Sequence, residues 1–576
     1  MSKPSIMNPD ADPPSPRAGL GNLRTGVVAA ALLATTSLIA HPAFAQVACS
    51  DLTSLRLPDN TVITTAQDVP AGSFTPPGST TALTGLPEFC RVAGTISPTA
   101  DSDIGFEVWL PTTTWNGKYE GTGNGGLAGS IVYSALQESI QHGFAGSNTD
   151  TGHNNANGAG AFALGHPQKI IDFGYRSTHL TAVISKLVVA AFYGKAASES
   201  YFNGCSQGGQ EALMEAQRFP NDYNGIVAGD PDNYMTHHEV GAHLWVTLNE
   251  FGPNDNGVLQ TADLQPLGDA VNAVCDAQDG LADGILNDPL TCHFNPSVLL
   301  CQNGNTTDCL TAQQVQTVKA IYNGPDSVTY AGYYPGFLRG GEATNWPGYI
   351  SALGPDLDVH SELGLPFFKY FVFQDPNWDF HTWQFTPANL AMIDQRFASI
   401  LNAVNPNLRP FKNAGGKLIQ FHGFADPDVP PLNSINYYNS VVSFFSDANS
   451  GNEEVGQSKV DSFYRLFMVP GMGHCGGGNA PNVFNGSTQG APMDPQHDIV
   501  LALDQWVTNG TAPNQIIATQ YAAATTAGAA PTVVRTRPLC PWPLLATWTH
   551  KGSEDNAASF TCAPPTAKQL TEAEQQ

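Results

Sequence analysis

One serine in this sequence lies in a setting that suits nucleophilic chemistry. Ser206 occupies the centre of Gly204-Cys205-Ser206-Gln207-Gly208, a G-x-S-x-G pattern. Such a pattern typically places the serine on a sharp turn between a strand and a helix, where small flanking residues let the backbones fit. The pattern alone is weak, because the chain contains 57 glycines and short motifs arise by chance. Ser206 therefore needs a base and an acid elsewhere in the chain.

Two later residues supply the base and the acid in a suitable order. Asp426 follows an apolar strand pattern, and His474 lies in the glycine-rich loop after the next strand pattern. The serine would attack an ester carbonyl, the histidine would carry the proton, and the aspartate would hold the imidazole tautomer. Asp428 is an alternative acid, since Asp426 also suits a turn. His422 is expected to make structural hydrogen bonds.

A pair of cysteines flanks this predicted catalytic pair. Cys205 directly precedes the serine and Cys475 directly follows the histidine. The loops that carry Ser206 and His474 must meet, so a bridge between the two cysteines would clamp the active site. A bridge across so long a loop would stabilise the fold if it is unstrained.

The serine also requires backbone amides that stabilise a developing oxyanion. One amide is expected from Gln207, the residue after the nucleophile. The other is expected from Gly125 or Gly126, because a residue without a side chain lets the backbone approach the substrate. An ordinary glycine turn is the alternative for this pair.

The order of the predicted elements indicates an α/β fold, with an α/β-hydrolase core and a mostly parallel sheet. Strand patterns alternate with helical patterns from residue 104 to 230 and again after 410, which is typical of such sheets. Residues 231–410 break the alternation and are interpreted as a large inserted lid. The core is thus divided into residues 46–230 and 411–576, and residues 46–100 are expected to form an irregular arm.

The N-terminus and the overall charge indicate an exported protein. Residues 1–45 combine arginines, an apolar run and an Ala-x-Ala site, as expected of a signal peptide cleaved after Ala45. An uncleaved anchor is the alternative. The net charge of −26 disfavours nucleic acid and anionic membranes as partners. The ten cysteines, an even number without any C-x-x-C pair, favour disulfides. We therefore expect a secreted or periplasmic protein that binds no membrane after cleavage.

The Cys-Ser, Asp and His-Cys motifs together resemble those of the tannase and feruloyl esterase family of α/β-hydrolases. The resemblance extends from about Cys49 to Cys562. It implies that Ser206, Asp426 and His474 form the triad. It also implies, beside the Cys205–Cys475 bridge, four further pairs: Cys49–Cys90, Cys275–Cys292, Cys301–Cys309 and Cys540–Cys562.

An acidic loop in the predicted lid carries three aspartates around glycines. Hard oxygen ligands on a turn suit Ca²⁺, although the spacing is not that of an EF-hand. The family resemblance implies a structural calcium with five ligands, the side chains of Asp276, Asp279 and Asp283 and the carbonyls of Leu281 and Ile285. A solvated acidic turn is the alternative. No organic cofactor is expected.

The sequence specifies the substrate less clearly. Aromatic residues concentrate between Phe367 and Phe385, where they suit either a lid core or stacking on a phenolic ring. The pair His237-His238 is expected to be polar surface rather than a metal site. We predict a serine esterase acting on small aromatic esters, such as galloyl or feruloyl esters. The alternatives are a hydrolase of aromatic diacid monoesters such as mono(2-hydroxyethyl) terephthalate, a peptidase and a catalytically silent binding protein.

Overall fold

The computed structural model describes residues 46–251, 256–325, 333–351, 358–486, 490, 492–522 and 531–565. The predicted signal peptide lies outside the described residues. The described residues belong to one compact unit, Phe44–Gln576. Among them, no helix has the length and apolar character needed to cross a membrane.

A nine-stranded sheet forms the centre of the molecule, in the order β1-β4-β5-β7-β6-β8-β9-β10-β11. Six neighbouring strands of this sheet, β7, β6, β8, β9, β10 and β11, run parallel. Strands β1, β4 and β5 extend the sheet by antiparallel pairing. These nine strands are β1 (Val62–Val69), β4 (Phe89–Ile96), β5 (Ile104–Pro111), β6 (Lys118–Thr122), β7 (Ala145–Thr149), β8 (Glu199–Cys205), β9 (Gly225–Gly229), β10 (Lys417–Gly423) and β11 (Tyr464–Val469). The mostly parallel sheet predicted from the sequence is confirmed.

Apolar strand sequences explain why the central strands lie inside. All five residues of β9, Gly-Ile-Val-Ala-Gly, are buried, as are six of the seven residues of β10. Near-continuous apolar runs are typical of parallel strands that are covered on both faces. Within the described residues, three small two-stranded sheets lie outside the main sheet. They comprise β2 (Gly72–Phe74) with β3 (Leu83–Leu86), β12 (Ile516–Tyr521) with β13 (Val533–Leu539), and β14 (Leu545–Trp548) with β15 (Phe560–Ala563).

Fifteen α-helices occur in the described residues. Those in the two halves of the core are α1 (Tyr133–Gln141), α2 (Pro167–Ile171), α3 (Ser177–Tyr193), α4 (Gln207–Arg218), α13 (Leu432–Asp447), α14 (Glu453–Asp461) and α15 (Ile499–Asn509). Their ends follow local chemistry: the Asp498 side chain caps the first amides of α15, and Gly510 ends that helix with a φ of 72°.

Between β9 and β10 the described chain is helical. It contains α5 (Met235–His238), α6 (Trp245–Glu250), α7 (Thr261–Cys275), α8 (Ala312–Asn323), α9 (Val359–Pro366), α10 (Pro387–Ile393), α11 (Ser399–Leu401) and α12 (Arg409–Asn413). Part of this segment has its own apolar core around Val318 and Trp346. A second cluster joins Phe367 and Phe371 of the segment to Phe162 and Phe173 of the first half.

The expectation of an irregular arm over residues 46–100 is wrong. Strands β1 and β4 pair with each other, and β4 pairs with β5, so this region extends the main sheet. The Thr, Pro and Gly content of residues 70–88 hid the strand pattern on either side. The buried Cys90 of β4 is bonded to Cys49, which fixes the segment around Cys49 against the sheet.

Candidate active site

Ser206 lies on a strained turn at the carboxyl end of β8, directly before α4. Its φ of 65° and ψ of −123° lie in a region that side chains rarely adopt. Its amide donates to the carbonyl of Gly229 in the neighbouring strand, at 3.0 Å. The serine is therefore held at the edge of the sheet where the parallel strands end.

Glycines make this turn possible by close backbone contact. A Cβ on Gly204 would lie 2.5 Å from the carbonyl oxygen of Gly208, and a Cβ on Gly208 would lie 2.9 Å from that of Asn124. A Cβ on Gly123 would come within 2.5 Å of the Gly208 Cα. The loop after β6 and the serine turn therefore touch backbone to backbone.

His474 and Asp426 meet at the same edge of the sheet. Nδ1 of His474 lies 2.8 Å from Oδ2 of Asp426. The other oxygen of Asp426 accepts from the amides of Asp428 and Val429, at 2.8 and 3.0 Å. Burial raises the pKa of Asp426, but the imidazoles of His474 and His422 lower it more, to about 2. The carboxylate beside Nδ1 of His474 is thus that of Asp426.

Asp428 occupies a different position, beside Nε2 of the same histidine. Its Oδ2 lies 3.3 Å from Nε2 of His474. This nitrogen forms no hydrogen bond with any described residue. Ser206, His474 and Asp428 line one cavity of about 670 Å³.

His422 has a supporting role, as expected. Its Nδ1 lies 2.6 Å from Oγ of Ser434, and its Nε2 lies 2.9 Å from the carbonyl of Val429 and 3.2 Å from Oδ2 of Asp426. These contacts fix the turn that presents Asp426.

The bridge between Cys205 and Cys475 is present in the structure. It ties the serine turn to the histidine loop across 270 residues. Asp230, at the end of β9, reinforces this junction: its carboxylate accepts from the amides of Gly423 and Cys475, at 2.6 and 3.0 Å. The remaining cysteines form the four expected pairs.

Of the predicted oxyanion residues, Gly125 and Gly126 line the cavity, and Gln207 directly follows Ser206 in the chain. Gln207 is the first residue of α4 and is 2 % exposed, and Gly125 and Gly126 line the cavity beside Ser206. A Cβ on Gly125 would meet nothing within 4 Å, so close packing does not require glycine there. The side chain of Glu211 holds this loop by accepting from the amide of Asn124 at 3.1 Å.

The expectation that His237 and His238 form polar surface is wrong, because both are buried, at 7 % and 1 % exposure. His237 stacks between Tyr234 and Tyr333. His238 lies 2.9 Å from a carboxylate oxygen of Asp232 and from the carbonyl of Asp428. Nothing in the local sequence indicates the burial of this pair, since the carboxylate partner of His237, Asp394 at 3.0 Å, is far along the chain.

The aromatic run near Phe367 forms core. Phe367, Phe368 and Phe371 are fully buried and pack around Trp383 and Phe397. The inserted segment instead lines the cavity with Tyr349, Val359 and Leu363 among the described residues.

The acidic loop holds its three carboxylates by backbone donors. Asp276 accepts from Gly284, and Asp279 accepts from Leu281 and Asn287. Asp283 accepts from Ile285 and forms an ion pair with Arg537 at 2.7 Å. Burial raises the pKa of Asp279 to about 7, and the charges of Asp283 and Asp276 add to it. Oxygen donors on a turn are the kind that Ca²⁺ prefers, although Arg535 and Arg537 already pair with the Asp283 carboxylate.

The strained serine turn at the end of a central parallel strand, followed in sequence by the acid and the histidine, defines an α/β-hydrolase. The chain belongs to the tannase and feruloyl esterase family, whose sequence pattern it matches over residues 90–563. It is therefore a carboxylic ester hydrolase.

Individual relatives agree with this family. An uncharacterized esterase of Xanthomonas campestris pv. campestris is 40 % identical over 94 % of each chain. A probable feruloyl esterase B-2 of Aspergillus terreus is 31 % identical over 82 % of this chain and 86 % of its own. The crystal structure of feruloyl esterase B from Aspergillus oryzae superposes with a TM-score of 0.78, at 28 % identity, over 89 % of this chain and 99 % of its own.

Proposed function

We propose that this protein is an exported serine esterase that hydrolyses esters of phenolic acids, such as galloyl or feruloyl esters, through an acyl-enzyme. The observation that carries the proposal is the 2.8 Å contact between Nδ1 of His474 and Oδ2 of Asp426. It leaves Nε2 of His474 without a hydrogen bond to any described residue, and His474 and Ser206 line the same cavity.

In the proposed mechanism, Oγ of Ser206 attacks the ester carbonyl while Nε2 of His474 takes the hydroxyl proton. Asp426 stabilises the imidazolium that forms. The amide of Gln207 and an amide from Gly125 or Gly126 stabilise the oxyanion. His474 then returns the proton to the leaving alcohol, and a water molecule activated by His474 hydrolyses the acyl-serine.

Two properties of the cavity support an aromatic monoacid. Tyr349, Val359 and Leu363 give one wall an apolar surface that suits a ring. The described cavity wall contains no lysine or arginine, so the second carboxylate of a diacid monoester would lack a cationic partner there. The names of the relatives from Aspergillus support feruloyl esters in particular.

Export is supported by the signal-like sequence of residues 1–45 and by the five disulfides, which persist in oxidising compartments. Periplasmic and extracellular locations are both consistent with these features. N-terminal sequencing of the protein outside the cytoplasm should begin at Gln46.

The catalytic proposal is tested by replacing Ser206 with alanine. We expect turnover of methyl ferulate to fall by about 10⁴-fold or more, and the wild-type protein to form an acyl adduct on the Ser206 peptide in mass spectrometry. Ser50→Ala, at an exposed serine of the N-terminal region, is the matched control. Turnover retained by Ser206→Ala contradicts the mechanism. Comparing methyl ferulate, methyl gallate and a terephthalate monoester identifies the acid.

A further inference from the structure

A second cluster of side chains that could bind a metal ion lies apart from the cavity beside Ser206. Its members are His179 on α3, Glu215 in the last turn of α4 and Asp222 in the loop after α4. One potential ligand atom of each residue lies within 4.8 Å of those of the other two. None of the three residues lines the described cavity, and the proposed mechanism uses none of them.

His179 and Asp222 already contact each other at the surface. Nδ1 of His179 lies 2.6 Å from Oδ2 of Asp222, and the two side chains are 27 % and 15 % exposed. The imidazole ring stacks on the ring of Phe219, with 3.8 Å between the ring centres. A nitrogen ligand and an oxygen ligand are thus held together where an ion from solvent can reach them.

Glu215 brings a carboxylate to a position that disfavours negative charge. The residue is 1 % exposed, and its Oε2 is buried and accepts no hydrogen bond from any described residue. It also lies at the carboxyl end of α4, where the helix dipole is negative. Burial and the charge of Asp222 raise the pKa of Glu215 well above its usual range. A carboxylate in these surroundings is stabilised by a proton or by a cation.

Lys186 supplies only part of the positive charge that this cluster needs. Its Nζ donates a hydrogen bond to the backbone carbonyl of Asp222 and lies 4.0 Å from Oδ1 of that residue. Burial lowers the pKa of Lys186, although the charges of Asp222 and Glu215 oppose that shift. One ammonium group therefore faces two carboxylates, and the cluster is negative when both carboxylates are ionised and His179 is neutral.

We propose that His179, Glu215 and Asp222 bind one divalent transition-metal ion, with Zn²⁺ as the ion that the ligand set fits. An imidazole nitrogen combined with two carboxylate oxygens suits Zn²⁺, whereas Ca²⁺ takes oxygen ligands. Bonds of about 2.1 Å place tetrahedral ligands about 3.4 Å apart, so atoms within 4.8 Å of one another can bind one ion after small side-chain movements. The ion displaces the proton between His179 and Asp222, balances the charge of Glu215 and links α3 to α4.

The test is a calorimetric titration of the chelator-treated protein with ZnCl₂, in excess Ca²⁺ so that the acidic loop around Asp279 does not compete. We expect the wild type to bind one equivalent of Zn²⁺ and to melt at a higher temperature with it. In His179→Asn the Kd for Zn²⁺ should rise about tenfold or more, because even the loss of a residue that only orients a ligand has such an effect. His497→Asn is the matched control: His497 is also 27 % exposed and lies 2.9 Å from Asp494, but no such cluster of described residues includes it.

Glu215→Gln tests the buried ligand, since it removes the charge with little change of shape. It should weaken Zn²⁺ binding as His179→Asn does, while both variants keep the wild-type turnover of methyl ferulate. If Glu215→Gln does not fold, Asp222→Asn takes its place. A folded His179→Asn protein that binds Zn²⁺ with the wild-type Kd would place the ion elsewhere and overturn the proposal. A wild type that binds no Zn²⁺ would also overturn it and leave Glu215 as a protonated acid beside Asp222.

Discussion

Oδ2 of Asp428 lies 3.3 Å from Nε2 of His474, while Oδ2 of Asp426 lies 2.8 Å from Nδ1. The imidazole ring therefore stands between two carboxylates. Asp428 is itself held by His243, whose Nε2 lies 3.2 Å from its Oδ1. Burial lowers the pKa of His474, but the charges of Asp426 and Asp428 raise it more, so the net shift is upward.

This arrangement predicts the pH dependence of the reaction. The proposed base, His474, is active only when it is neutral. A raised pKa of His474 therefore moves the acidic limb of the pH profile of kcat/KM to higher pH. Asp428→Asn removes one of the charges that raise this pKa. We expect the limb to move to lower pH by about one unit, as measured with methyl ferulate across the pH range.

Asp426→Asn provides the comparison for that variant. It removes the group that fixes the imidazole tautomer, and its turnover should fall by about 10⁴-fold. The other groups facing His474 are the Asp230 carboxylate and the ring of Tyr349, and neither changes in these variants. If the acidic limb of the pH profile of Asp428→Asn lies at the same pH as that of the wild type, the electrostatic role of Asp428 is contradicted.

The bridge between Cys205 and Cys475 should support both stability and activity. Replacing both cysteines with serine removes the covalent link between the serine turn and the histidine loop. We expect the free energy of unfolding to fall by about 2–5 kcal/mol and esterase activity to fall with it. Thermal unfolding and methyl ferulate turnover measure the two effects.

The Cys301–Cys309 pair is the matched control. Its two cysteines are only eight residues apart in sequence, and neither is among the residues that line the described cavity. Its double serine variant should keep wild-type kcat. Equal loss of activity in both double variants would show that the Cys205–Cys475 bridge has no special relation to the site.

The contact between Gly208 and the loop after β6 predicts that a larger residue at position 208 lowers the activity. Gly208→Ala would place a methyl group 2.9 Å from the carbonyl oxygen of Asn124, so the backbone must move where the oxyanion amides are proposed. We expect kcat to fall by about 10²-fold or more, since losing one oxyanion donor has such an effect. Gly125→Ala meets no atom within 4 Å and should leave the melting temperature unchanged. A fully active Gly208→Ala variant would contradict this role of the contact.

Much of this arrangement could be predicted from sequence because its elements carry local signals. Strand β9 and helix α3 both lie in the predicted alternation of residues 104–230, since an apolar run and a long amphipathic pattern define them. The positions of Ser206, Asp426 and His474 follow from motifs placed at strand ends. The cysteine beside each of two such motifs indicated that the loops meet.

The rest could not be predicted, because it depends on contacts between distant residues. Asp230 joins the loops of Gly423 and Cys475, yet in sequence it is only an aspartate after a strand. His243 contacts Asp428 across 185 residues.

The acidic loop gives the last prediction, which concerns a proposed structural calcium held by Asp276, Asp279 and Asp283 with the carbonyls of Leu281 and Ile285. These carboxylates repel one another, and the raised pKa values of Asp276 and Asp279 reflect burial together with that repulsion. A cation that binds only the folded state would stabilise it by about 2.7 kcal/mol at a hundredfold excess over its Kd. Chelation should therefore lower the melting temperature, and added Ca²⁺ should restore it. Asp279→Asn should lower the melting temperature and weaken its response to calcium, whereas Asp308→Asn, at an exposed aspartate of the same inserted segment, should behave as wild type.

Elemental analysis that finds no calcium in the purified protein, together with a melting temperature insensitive to chelator, would leave the loop as a solvated acidic turn whose charge Arg537 partly balances.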